Sequence, residues 1–192
     1  MGTINGVKIG LTHLYYATLV SDASGGVSYN TPVRITGLIT ANINPNSVIE
    51  TLFADDGPLE VASQLGNIEL ELSVADIPLY IQAVLLGHTI SAGVMERVSS
   101  DIPPWVAIGF KALKSNGNYR YCWLYKGKFR QPELNHETKD DSVNFQTSTI
   151  VGHFVKRDYD DKWIKQADED ESGYLEATGT NWFTTTAIDA SP

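Results

Sequence analysis

The side chains best suited to hold a metal or move a proton near neutral pH are His13, His88, His136 and His153. No two stand at the short spacing of a metal site, so each reads as an isolated surface or core residue. Cys122 is a nucleophile only beside a base that lowers its pKa, and inside a strand a small buried hydrophobe is the plainer assignment. No serine sits in a Gly-x-Ser-x-Gly elbow. Gly127-Lys128 is followed by Phe129 where a phosphate loop needs Ser or Thr, and Cys122 stands where its first glycine should be. The run Asp168-Glu169-Asp170-Glu171-Ser172-Gly173 opens like a calcium loop, but the twelfth position is Gly179 where a bidentate Glu is needed. A solvated acidic turn is expected there. The sequence thus offers no catalytic, cofactor-binding or metal-binding residue, and an enzyme is not expected.

Tyr119, Tyr121, Trp123 and Tyr125 alternate along one strand face, with Arg120 and Lys126 on the other. Such a stripe can stack single-stranded nucleic acid. The acidic balance of the chain, −9 overall, favours an aromatic core or subunit interface instead. Charge is also segregated. From Ile35 to Met95 there are seven acids and no Lys or Arg; from Ile102 to Pro132 there are six bases and no acid. Two solvated faces would explain this, and so would an acidic surface that meets the basic surface of another copy.

The elements that position these residues are mostly strands. Ile68, Leu70, Leu72 and Val74 alternate with Asn67, Glu69, Glu71 and Ser73, the pattern of a half-buried antiparallel strand. Arg34 to Asn44 places Ile35, Ile39, Ala41 and Ile43 on one face, with Leu38 as the exception. Gly6 to Val20, Phe145 to Arg157 and Lys162 to Gln166 read as further strands. Trp105–Lys114 and Tyr119–Phe129 form a hairpin across Ser115-Asn116-Gly117-Asn118. Thr51–Ala54 and Leu59–Ser63 form another around Asp55-Asp56-Gly57-Pro58. One helix is expected, with Asp76 as N-cap, Pro78 in the first turn, Gly87 as C-cap and an apolar stripe of Ile77, Ile81, Val84 and Leu85. The class is mainly β: a sandwich or barrel of antiparallel strands with one flanking α-helix, over residues 1–167. Residues 168–192, acidic and then rich in Thr, Gly and Ala, read as an arm or loose extension.

At 192 residues with 42% hydrophobic and 19% charged side chains, the chain can build one real core. A single cysteine allows no internal disulfide. No signal peptide, myristoylation signal or run of membrane-spanning length is visible, so a soluble chain assembled in a cytoplasm is expected.

A series of segments runs through the chain in order: Leu52-Phe53-Ala54-Asp55-Asp56-Gly57-Pro58, Gly66-Asn67-Ile68-Glu69-Leu70-Glu71-Leu72, Ala75-Asp76-Ile77-Pro78 and Leu85-Leu86-Gly87-His88. Pro103-Pro104-Trp105-Val106-Ala107-Ile108-Gly109-Phe110, Tyr121 to Phe129, Phe145-Gln146-Thr147 and Phe154-Val155-Lys156-Arg157 follow. The series resembles the major tail tube protein family of long-tailed bacteriophages, especially those of Gram-positive hosts. The resemblance implies a tail-tube fold related to type VI secretion tube proteins. It also implies hexameric rings that stack into the virion's tail tube, with tape measure, tail terminator and distal tail proteins as partners. DNA would pass through without specific binding, and no cofactor or membrane is implied. Asp55, Asp56, Gly57 and Pro58 are then the expected subunit or ring contact, and Asn67, Glu69, Glu71 and Ser73 the expected lumen lining. The competing expectation is a ligand- or carbohydrate-binding β-sandwich with Trp105, Trp123 and Trp163 as its platform.

Overall fold

The computed structural model describes residues 6–134 and 147–189; His136, Phe145 and Gln146 lie outside them. The fold is mainly β, and every strand pair is antiparallel. The strands are β1 (Lys8–Ala23), β2 (Gly26–Tyr29), β3 (Val33–Ile35), β4 (Leu38–Ala54) and β5 (Gly57–Val74), followed by helix α1 (Leu79–Leu86). Next come β6 (Thr89–Ser91), β7 (Val94–Glu96), β8 (Val106–Lys114), β9 (Tyr119–Phe129), β10 (Ser148–Val155) and β11 (Ile164–Asp168), then the short helices α2 (Glu176–Thr180) and α3 (Thr185–Ile188). The main sheet runs β2-β1-β8-β9-β10-β5-β4. β11 adds to β9 and β3 to β1, while β6 and β7 pair separately.

Alternation decides which way each strand faces. In β5, Ile68, Leu70, Leu72 and Val74 are buried, as their period-2 spacing predicts. The curled sheet brings them into one core with Leu14, Ile35, Val106, Ile108, Leu124, Ile150 and Phe154. In β4 the phase differs from the sequence pattern. Leu38 pairs with Val74 and packs on the core, whereas Ile39 is exposed, because a bulge between Leu38 and Thr40 shifts the register. Gly37, at φ +87°, makes the break between β3 and β4 that allows it.

Ile77, just before helix α1, and Ile81, Leu85 and Leu86 within it close the core. Gly87 caps it in the left-handed conformation, its N–H bonding the Ala83 carbonyl. The N-terminal expectation fails: Pro78, not Asp76, is the N-cap, and no side chain caps the helix. Val84 is exposed while Ala83 and Leu86 are buried, since β6 and β7 pack against the helix and widen its covered arc.

A second cluster lies on the outer face of β8 and β9. Ala107, Tyr121, Trp123 and Tyr125 are covered there by Trp182, Phe183 and Ile188 from the C-terminal segment. That segment is therefore packed, not loose. Its polar average hid three apolar anchors matched to the aromatic stripe. Gly109 lets the Trp123 ring lie flat on β8, where a Cβ would meet the ring at 2.5 Å.

Candidate assembly interface

The outer halves of β4 and β5 leave the body as a two-stranded arm. Strand pairing continues from Ser47–Leu65 to Ala54–Gly57, and every residue from 58 to 66 is exposed. At about 3.3 Å per residue, the arm projects roughly 25 Å. Asp55 and Asp56, at φ 49° and 62°, form the two-residue turn at its tip, as the mirror-image hairpin turns require. Gly57 already pairs with Ala54, and Pro58 lies opposite Phe53 beside a bulge, so the reversal is tighter than its four-residue motif suggested. Val48, Ile49, Leu52, Phe53, Leu59 and Val61 are all more than half exposed. Adjacent pairs such as Val48 and Ile49 point to opposite sides, so both faces of the ribbon are apolar. Sequence reading found only short strands around the turn. It missed that they are continuous with the alternating strand from Asn67 to Val74.

Nearer the body, Asn67 is exposed and Glu69, Glu71 and Ser73 are half-buried on the outward face of β5. The register aligns Asn44, Glu69, His153 and Lys128 in one row across β4, β5, β10 and β9. Asn67 bonds the His153 ring at 2.9 Å, and Ser73 bonds Thr149 at 3.1 Å. This face therefore mixes acids with a histidine and a lysine, and is not the uniformly negative surface that two glutamates alone suggest.

Half of the basic block, Lys114, Arg120 and Lys126, is used inside the chain. Lys114, buried, binds Asp168 at 2.8 Å and also Asp170, and Arg120 binds Asp168 at 2.6 Å. Lys126 bridges Asp22 and Asp158, each at 2.7 Å. Arg157 pairs with Asp160, donates to the Ile188 carbonyl at 2.7 Å and lies 3.8 Å from the Tyr125 ring centre. Against the cost of burial, the bonds from Lys114 and Arg120 hold the Asp168 carboxyl below its ordinary range, and Lys126 does the same for Asp22. The Lys114 bond is the largest influence bringing Asp170 down to about 2. The acidic run that resembled a calcium loop is thus a clasp: its carboxylates hold the C-terminal segment to β8 and β9. Asn116 and Asn118 add hydrogen bonds to Asp170. The signal for this was the match between two charge runs, which sequence separation concealed.

The remaining chemical candidates resolve as structure. Burial pushes the Cys122 thiol up to about 12, far from a reactive thiolate. Trp123 is fully buried and gives its indole N–H to the Trp182 carbonyl, so it cannot serve as a sugar platform. His88 is buried, 2.6 Å from Asp101, and ties the end of α1 to the loop before β8. Among the described residues no group of three or more His, Cys, Asp or Glu could hold a metal ion, and no helix is long and apolar enough to cross a membrane.

No family model and no curated protein matches the chain. Among solved structures it is similar to a chain of the anti-feeding prophage baseplate determined by cryo-electron microscopy with six-fold symmetrisation. Identity is 12% and the TM-score 0.40, over 89% of this chain and 100% of that one. A likeness of that degree fixes neither family nor function.

Proposed function

We propose that this chain is a self-assembling structural subunit of a phage-type tail, forming hexameric rings that stack into the tube through which a genome is delivered. The observation that carries the reading is the arm. A lone two-stranded ribbon is marginal in water, and this one exposes apolar side chains on both faces. Such a surface suits cover by another copy, with Asp55, Asp56, Gly57 and Pro58 at the point of contact. Pairing of the exposed edge strand between copies removes a liability for aggregation. The ordered segments resembling the tail tube family support the same reading. Purified full-length protein, imaged by negative stain at rising concentration with and without a nucleating tail tip, should form rings or tubes. Monomer alone under both conditions overturns the proposal.

Within such a tube, the face carrying Asn67, Glu69, Glu71 and Ser73 lines the channel. Glutamates repeated around each ring keep phosphates from adhering, while His153 and Lys128 in the same row temper the repulsion. Glu69→Lys with Glu71→Lys should leave assembly intact and slow DNA passage. Finding both carboxylates on the outside of an assembled tube excludes the assignment.

A further inference from the structure

The bases Arg34 and Lys111 lie near one another on the outer side of the sheet. β3 sets Arg34 opposite Tyr15, and β8 sets Lys111 opposite Thr12, on the outward face of β1. Between Thr12 and Tyr15 the register shifts, and His13 adopts φ 57°, an uncommon conformation for a residue with a Cβ. The bulge turns His13 toward Phe183, which also stacks on Tyr15 with 4.4 Å between ring centres. The Lys111 ammonium sits 4.0 Å over the Tyr119 ring. Neither Arg34 nor Lys111 has an ion-pair partner among the described residues. Glu169 accepts from the Tyr119 N–H and the Tyr121 hydroxyl, so it reaches Lys111 through space and not as an ion pair. Burial first, then Lys111 and Arg34, hold His13 below its ordinary pKa, so both positive charges are felt at that point, with Glu169 offsetting Lys111 in part.

The arm is the opposite case. Residues 46–66 carry Glu50, Asp55, Asp56 and Glu60 and no Lys or Arg. We infer that the Arg34–Lys111 cluster beside the His13 bulge is the receptor for the acidic arm tip, Asp55-Asp56, of a second copy of this chain. The tip cannot return to its own cluster. β4 starts just after Arg34 and runs from Leu38 to Ala54, which carries the tip up to roughly 50 Å along the strand. The contact thus joins two different surfaces of one chain. Unless two copies exchange tips about a two-fold axis, such pairing propagates into a closed ring or an open filament. The inference rests on the assembly reading above and names the surface that the arm meets.

The test is a charge exchange in the full chain, read as the critical concentration for rings or tubes by sedimentation. Arg34→Glu with Lys111→Glu should raise it at least tenfold, as should Asp55→Arg with Asp56→Arg, while the monomer's melting curve is unchanged. All four substitutions together should restore assembly toward the wild-type value. Should Lys111→Glu disturb the fold beside Glu169, Arg34→Glu with Lys111→Gln gives the same reading without a new carboxylate. Normal assembly of the Arg34/Lys111 variants, or no rescue in the combined variant, overturns the receptor while leaving self-assembly standing. A wild-type chain that never assembles overturns both.

Discussion

Strand β5 follows two physical regimes along one stretch of backbone. Its inner half, from Ile68 to Val74, buries every second side chain against the core, and its outer half, from Pro58 to Gly66, buries none. The inner half is held by what lies beneath it, and the outer half by one neighbouring strand alone. The same contrast holds for charge. Around the body the acids Asp22, Asp160, Asp168 and Asp170 meet bases of the same chain, whereas no base of the chain pairs with Asp55 or Asp56 among the described residues. The body is completed by its own chain; the arm is the region that the proposed contact would cover.

The largest effect expected from breaking this contrast lies in the body. Trp182→Ala removes a fully buried indole from the outer cluster and should cost about 3–5 kcal/mol, measured by urea unfolding. The Trp182 indole N–H is buried without a partner among the described residues, so Trp182→Phe should cost much less, losing ring volume but no hydrogen bond. Leu70→Ala, in the inner half of β5, should cost about 3 kcal/mol.

Acid should weaken the clasp next. The folded-state pKa values of Asp22, Asp160, Asp168 and Asp170 are depressed, so the unfolded chain binds more protons as the pH falls. The stability they add is fully present above the ordinary carboxylate range near pH ~4. It is lost as the pH falls through the folded values, to about 2 for Asp170. Tryptophan fluorescence should report the C-terminal segment loosening in that window. The Asp168→Asn variant should shift less with acid than the wild type.

The smallest effect on stability belongs to the arm. Phe53→Ser, at a side chain 69% exposed, should change the monomer's unfolding free energy by no more than about 0.5 kcal/mol. The same change should impair assembly, seen as fewer tubes by negative stain at equal concentration.

Much of this division was legible in the residues. Alternation from Asn67 to Val74 placed the core face of β5 correctly, the Asn116-Gly117 turn positioned β8 and β9, and Gly87 ended the helix where its conformational freedom is used. What was not legible required contacts distant in sequence. The bulge at Leu38 and Thr40 reverses a pattern that local spacing reads the other way. Lys114 and Asp168 are 54 residues apart, so neither charge run announced its partner. That Trp182 and Phe183 pack on the aromatic stripe of β9 is a contact that no local spacing shows. The arm's exposure was equally hidden, because its residue types are those of a buried strand.

Amide hydrogen exchange along residues 46–66, compared between monomer and assembled protein, tests most directly whether the arm is completed by another copy. The arm's amides should exchange fast in the monomer, while those of Ile68 to Val74 are protected, and should become protected on assembly. Arm amides that exchange equally fast in assembled protein, or that are already protected in the monomer, would contradict the account.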